Sequence, residues 1–225
     1  MTGTVDGLGE EEAHHLATVT RPFEDTAIKT PEQPAAVVGD PAPLGLAGFG
    51  ITTLLLSLIN AGILPATTTA GVMALALAVG GGAQLLAGMW AFRRGNTFAG
   101  TAFTAYGAFW FSFYLLVIVF IPQMLAGKTP ASAADLSAFV GTFLLAWGIF
   151  TAYMFVASLA GARAVQVVFA LLTITFVVLA IGEYASSTGI HNVGGYIGIL
   201  TAAAALYASF ADVTNANFKR IVLPT

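Results

Sequence analysis

Six long apolar stretches, separated by short polar segments, make up most of the chain after residue 38. They cover residues 44–63, 71–92, 98–121, 136–159, 164–184 and 193–212. Each has about 20 residues or more, which is enough for an α-helix to cross the roughly 30 Å hydrocarbon core of a bilayer. The pattern predicts an all-α, polytopic membrane protein with six transmembrane helices, which together form a membrane domain over residues 39–214.

The segments outside this domain have a different composition. Residues 1–38 hold seven of the 11 acidic residues and no long apolar run, which is typical of a disordered tail. Residues 215–225 form a short C-terminal tail. An even number of spans puts both tails on one side, and that side also carries seven of the eight Lys and Arg residues. Because basic residues collect on the inner side, we expect both termini in the cytoplasm and the protein in the plasma membrane.

The composition excludes several classes of function. Charged residues are 8% of the chain, against about 25% in soluble domains, so a lipid bilayer is the expected surrounding. The net charge of −3 argues against a nucleic-acid partner, and the absence of cysteine excludes thiolate chemistry. The middle of the six stretches contains no titratable acid or base, whereas catalysis needs such groups to converge. We therefore expect no enzyme activity, catalytic residue, metal site or cofactor.

Uncharged polar side chains recur inside the apolar stretches. In the first stretch Phe49, Thr53, Ser57 and Asn60 are spaced four, four and three apart, so they form one stripe on a helix. Gln84 lies in the second stretch and Thr104 in the third. Such residues indicate the wall of a path for a small solute. They are also compatible with helix–helix packing or backbone hydrogen bonds in a receptor or scaffold that transports nothing.

Four segments of this sequence resemble motifs of the acetate uptake transporter family, also called the acetate/succinate–proton symporter family. They are PAPLGLAGFG at residues 41–50, GGAQLLAGMWAFRRGNTF at 81–98, TAFTAYGAFW at 101–110 and GARAVQ at 161–166. The signature around Asp40, Pro41, Pro43 and Gly45 departs from the family pattern at Asp40, where Asn is usual. Ala91 and Ile59 also stand at positions where members often carry Glu and His.

The resemblance implies a ring of protomers, usually a hexamer, in which each protomer encloses its own path. It also implies a hydrophobic constriction formed by a Phe of the first span, a Tyr of the third and a Leu of the fifth. The matching residues here are Phe49, Tyr106 and Leu172. Without the resemblance, the same three residues are read as ordinary core packing.

The expected function is transport of acetate and related small mono- or dicarboxylates. An isolated carboxylate costs far more to bury than a neutral acid, and the spans offer no fixed cation at mid-depth, so a proton is expected to accompany the substrate. Thr53, Ser57, Asn60, Gln84 and Thr104 are the candidates to hold the substrate on either side of the constriction. A path for a small neutral solute, such as ammonia or an alcohol, is the alternative transport function.

Overall fold

The computed structural model describes residues 38–225, and within this range every regular element is helical. Six helices are long and apolar enough to cross a membrane: α1 Ala42–Asn60, α2 Ala66–Arg93, α3 Thr97–Ala126, α4 Ala133–Ser158, α5 Arg163–Tyr184 and α6 Thr188–Phe218. The predicted all-α fold with six spans is confirmed. The tail predicted for residues 1–38 lies outside the described residues, apart from Val38.

Some helices end at other residues than the sequence suggested. Helix α1 stops at Asn60, before the predicted limit at residue 63, and Gly62 follows with a positive φ of 73°. Helix α6 begins at Thr188 and continues to Phe218, so the segment predicted as a C-terminal tail contains the last helical turn. The division of the chain into tails and a membrane domain stays a prediction.

Pro122 does not end α3, which was the basis for placing the third span at residues 98–121. Residues Leu116–Phe120 form a π-helical segment, and the chain then continues as α-helix over Ile121–Ala126. Pro122 consequently occupies one of the first two positions of a new α-helical segment. At such a position the N–H that proline lacks has no helical partner to lose.

A second π-helical segment covers Ala76–Ala83 in the middle of α2, across the three consecutive glycines. A Cβ atom on Gly81 would lie 2.5 Å from the carbonyl oxygen of Ala76 in the same widened turn. Glycine is therefore the residue that this backbone path accepts. The helix changes from α-helical to π-helical hydrogen bonding at this place and continues as an α-helix from Gln84.

Four neighbouring helix pairs pack with their backbones close together. Helix α6 lies against α1 and α5, α5 lies against α4, and α2 lies against α3. Glycines permit this approach: a Cβ on Gly195 would lie 2.5 Å from the carbonyl carbon of Asn60, and one on Gly88 would lie 2.5 Å from the Thr104 nitrogen. Small residues at contacts are how helices associate within lipid.

Helices α3 and α4 differ, because their backbones approach each other at few positions. Large rings fill the space between them. The ring centroids of Phe109 and Trp147 are 5.1 Å apart, those of Phe109 and Phe143 are 5.8 Å apart, and those of Tyr106 and Phe150 are 5.4 Å apart. The interior of the bundle is consequently wide on this side, and the cavities described below lie there.

The two ends of the bundle carry different charges. The end with Asp40 and Phe218, called the terminal end below, also holds five of the six Lys and Arg residues in the described range, while Lys128 lies at the opposite end. This distribution is the basis for predicting cytoplasmic termini.

We expect Gly195→Ala to destabilise the protein, because the added methyl group meets backbone atoms of Asn60 and Ala61 that cannot rotate away. Overpacking of this kind costs about 1–3 kcal/mol. Thermal unfolding of the purified protein in detergent measures the loss. Gly71→Ala is the matched control, since nothing lies within 4 Å of its Cβ position and alanine favours a helix by about 0.5–1 kcal/mol. A Gly195→Ala protein as stable as the wild type would contradict the close contact of α1 and α6.

Candidate functional site

A cavity of about 290 Å³ lies inside the bundle toward the opposite end, and all six helices contribute to its wall. We call it the central cavity. Its lining is mostly apolar, with hydroxyl, amide, carboxylate and imidazole groups at separate points. The lining residues are Phe49, Thr53, Leu56, Ser57, Asn60, Thr69, Phe109, Trp110, Phe113, Leu116, Val117, Ile121, Val140, Leu144, Leu172, Thr175, Phe176, Leu179, Glu183 and His191.

A second cavity of about 350 Å³ lies at the terminal end, and we call it the terminal cavity. The beginnings of α1, α3 and α5 and the ends of α4 and α6 surround it. Leu46, Phe103 and Phe169 form much of its apolar floor, and Asp212 lies at its edge. The two cavities thus approach the middle of the bundle from opposite ends.

One helical turn separates the two cavities on two helices. On α1, Leu46 lines the terminal cavity and Phe49 the central cavity; on α5 the same holds for Phe169 and Leu172. Residues three apart on a helix lie on one face, about 4.5 Å apart along the axis. On α1 and α5 the partition between the cavities is therefore about one helical turn thick.

Tyr106 belongs to this partition. On α3 it follows Phe103 of the terminal cavity and precedes Phe109 of the central cavity by three residues each. Its ring centroid is 5.8 Å from that of Phe49 and 6.1 Å from that of Phe169. Phe49, Tyr106 and Leu172 are each at most 5% exposed. The three residues predicted to form a constriction thus occupy the layer between the two cavities, and their role there stays a prediction.

The hydroxyl group of Tyr106 has a defined direction. Its oxygen is 2.9 Å from Oγ1 of Thr151 on α4, and that Oγ1 in turn lies 2.7 Å from the carbonyl oxygen of Trp147. Because Thr151 donates its single hydroxyl proton to the carbonyl group, Tyr106 is the donor in the bond between the two hydroxyls. The lone pairs of the Tyr106 oxygen remain available to accept a hydrogen bond.

Three of the predicted substrate-binding residues line the central cavity: Thr53, Ser57 and Asn60. The Thr53 hydroxyl is buried without a hydrogen-bond partner among the described residues. The Trp110 indole N–H is also unpaired there, but the ring edge that carries it lies beside Gly80 of α2. A buried hydroxyl without a partner is costly unless something polar binds to it. The cavity can therefore offer hydrogen bonds to a small polar solute.

Gln84 and Thr104 lie elsewhere. Neither is among the residues that line the central or the terminal cavity. Thr104 packs against Gly88 of α2, and Gln84 is 1% exposed with its Cβ close to Gly48 of α1. Both side-chain oxygens are buried and unpaired within the described part of the chain. Their predicted contact with substrate stays a prediction.

The signature residues fix the beginning of α1. The Asp40 carboxylate accepts a hydrogen bond from the Ala42 N–H (3.0 Å) and lies 3.7 Å from the Arg94 guanidinium group. Pro41 precedes the helix, and the carbonyl oxygen of Pro43 in its first turn accepts a hydrogen bond of 2.7 Å from Ser209 of α6.

Gly45 makes room for α3. A Cβ atom there would lie 2.6 Å from the ring of Phe103, which is part of the terminal cavity wall. The glycine of the signature therefore lets a bulky ring pack directly on α1.

Sequence reasoning missed two residues at or beside the cavities. Thr151 is absent from the predicted set although it holds Tyr106, and Thr175 lines the central cavity beside Leu172. Thr175 follows Leu172 by three residues, so helical spacing was an available signal. For Thr151 no such signal exists, because its partner lies 45 residues away on another helix.

Comparisons with known proteins agree with this architecture. The sequence matches the family described as "GPR1/FUN34/yaaH family" over residues 25–225. It is 43% identical to the succinate-acetate/proton symporter SatP of Escherichia coli K12 over 83% of this chain and 95% of that protein. It is 36% identical to the ammonia transport outward protein 2 of Saccharomyces cerevisiae over 84% of this chain and 67% of that protein.

A solved structure described as that of the bacterial acetate channel SatP has the same fold. It covers 84% of this chain and 99% of its own length, with 40% identity and a TM-score of 0.74. The motif resemblance noted from the sequence is therefore confirmed over most of the chain, and this multi-pass membrane protein belongs to the GPR1/FUN34/yaaH family.

Proposed function

We propose that this protein transports acetate and related small carboxylates across a membrane, accompanied by a proton. The observation that carries the proposal is the pair of cavities that meet from opposite ends at one apolar layer. The names of the symporter and of the acetate channel among its relatives support a carboxylate substrate. We expect no catalytic activity, since a transporter moves its substrate across the membrane without changing it chemically.

The path runs from the terminal cavity, past Phe49, Tyr106 and Leu172, into the central cavity. These three side chains form the constriction, where the substrate loses its water. In the central cavity Thr53, Ser57 and Asn60 hold the carboxyl group by hydrogen bonds.

In this proposal Gln84 and Thr104 do not contact the substrate in either cavity but influence it indirectly, through the packing of α1, α2 and α3. Their unpaired oxygens lie at helix contacts and not on either cavity wall.

The charge distribution favours passage of the neutral acid through the constriction. No Lys or Arg is among the described residues that line either cavity, so nothing there offsets a carboxylate stripped of water. Because the Tyr106 hydroxyl donates its hydrogen bond to Thr151, its oxygen is left to accept one from the O–H of an undissociated acid. A substrate that carries its own proton is uncharged in the constriction and can also donate this hydrogen bond.

The outer surface of the bundle carries many exposed apolar side chains. Large apolar side chains such as Ile149, Leu200 and Phe210 are about 60% exposed on the outside of the bundle, which suits contact with lipid or with other protomers. We propose a homo-hexameric ring in the plasma membrane, with a path in each protomer and both termini in the cytoplasm.

A neutral solute is the second candidate substrate. The yeast relative named for ammonia transport and the uncharged constriction both favour it. A receptor or scaffold without transport is the third reading, and measured flux separates it from the other two.

Purified protein in liposomes is expected to take up labelled acetate faster than protein-free liposomes. Unlabelled propionate should compete, because it shares the carboxyl group and differs by one methylene. Acetate uptake at the rate of protein-free liposomes would refute transport of acetate. Uptake of acetate that propionate does not reduce would point to the neutral-solute reading.

Lowering the external pH from 7.5 to 5.5 is expected to raise protein-dependent acetate uptake. The reason is that the fraction of undissociated acid increases as the pH falls, while the constriction keeps its uncharged character. Initial rates at equal total acetate, corrected for protein-free liposomes, measure the effect. A rate that stays constant or falls over this range would argue against joint movement of proton and substrate.

Phe49→Ala is expected to widen the path and to admit larger carboxylates such as benzoate faster than the wild type does. Phe210→Ala is the matched control, because it deletes the same ring from an outward position that is 59% exposed. The ratio of benzoate to acetate uptake reports the change, and we expect a rise of about tenfold, equivalent to about 1.4 kcal/mol, for Phe49→Ala alone. An unchanged ratio would exclude Phe49 from the constriction.

A further inference from the structure

The opposite-end mouth of the central cavity carries a pair of titratable side chains that the transport path described so far does not use. Glu183 is in the last turn of α5 and His191 in the first turn of α6, and both line the cavity. A carboxylate oxygen of Glu183 lies 3.5 Å from Nδ1 of His191. Their side chains are 22% and 29% exposed, so the pair touches both the cavity and the outside.

The backbone places the two groups together. Gly182 packs against the start of α6, and a Cβ atom at this position would lie 3.0 Å from the His191 nitrogen and 3.1 Å from its Cα. The missing side chain brings α6 close to the end of α5, and Glu183 follows directly in the sequence. The junction of the two helices thus places the backbones of both residues close together.

Few other charges act at this mouth. No other Asp, Glu, Lys, Arg or His in the described range lines the central cavity. Of the neighbouring elements, α4 contributes Asp135, whose carboxylate is hydrogen-bonded to Ser132, and the segment before α4 contributes Lys128. Neither forms an ion pair with Glu183 or His191 within 4.0 Å.

Tyr184, which follows Glu183 in the sequence, has its hydroxyl oxygen 2.9 Å from Oγ1 of Thr142. The end of α1 contributes Asn60 to the cavity wall and the beginning of α2 contributes Thr69, and both side chains are uncharged.

Resting on the transport function proposed above, we infer that Glu183 and His191 form a charge filter that favours monocarboxylates over dicarboxylates at this mouth. With a neutral imidazole, the pair carries one negative charge. An approaching dianion is repelled twice as strongly as a monoanion, because Coulomb energy scales with the charge of the substrate.

The test compares succinate and acetate uptake by the full-length protein in liposomes at pH 7.5. We expect Glu183→Gln to raise the ratio of succinate to acetate uptake about threefold, the effect of one unit charge about 7 Å away in water. Asp135→Asn is the matched control, because it removes one carboxylate at the same end without touching the cavity. Its ratio should equal that of the wild type.

His191→Gln is the second comparison. It keeps the Glu183 carboxylate, so at pH 7.5 it should not raise the succinate-to-acetate ratio as Glu183→Gln does. The double variant, which lacks the carboxylate, should show the raised ratio of Glu183→Gln. Because each comparison is made at one pH, the protonation state of the substrates is common to all variants.

The outcomes separate this inference from the proposed function. Absence of acetate flux in the wild type would overturn both. Acetate flux with an unchanged ratio in Glu183→Gln, or with an equal rise in Asp135→Asn, would overturn the charge filter alone. Size-exclusion profiles of each variant in detergent confirm that a change of ratio does not come from unfolded protein.

Discussion

The interior of this molecule depends on the unequal spacing of its helices. Glycines draw α1, α2, α5 and α6 to their neighbours until backbones touch, whereas α3 and α4 stand apart with aromatic rings between them. A bundle that is tight all round has no interior space, and one that is loose all round does not hold together in lipid. Phe109 and Phe113 of α3 line the central cavity, and the α4 rings Phe143 and Trp147 pack against Phe109.

The layer between the cavities combines two properties that oppose each other. It is apolar and nearly dry, yet it contains the hydroxyl group of Tyr106, which would be costly to bury unpaired. The hydrogen bond to Thr151 removes this cost and fixes the ring against α4. The same bond leaves the layer with an acceptor and without a free donor, which is the property that the proposed passage of an undissociated acid needs.

Much of this could be predicted from the sequence. Spans of 20 apolar residues determine a helix in lipid almost irrespective of neighbours, so the six helices were predictable. The stripe Thr53, Ser57 and Asn60 was visible because helical spacing is local. The path of α3 beyond Pro122 was predicted wrongly, because a widened turn before the proline removes the penalty that usually ends a helix there.

The candidate site was harder to predict, because it depends on contacts between distant parts of the chain. Gln84 and Thr104 are polar residues in apolar spans, as Thr53 is. The sequence around them does not indicate that they face other helices, whereas Thr53 faces a cavity. The same limit applies to Thr151 and Tyr106, which are 45 residues apart.

The π-helical segment Ala76–Ala83 has a consequence for how α2 tolerates changes in length. Its turns close over five residues where an ordinary turn closes over four, so the segment holds one residue in excess of a regular helix. Deleting a single residue here would restore regular α-helical hydrogen bonding in this segment. The residues Gln84–Arg93 would then keep the orientation about the helix axis that they have now. Elsewhere in α2 the same deletion would rotate everything beyond it by about 100°. The glycines thus mark the one place in this helix where its length and its register are uncoupled.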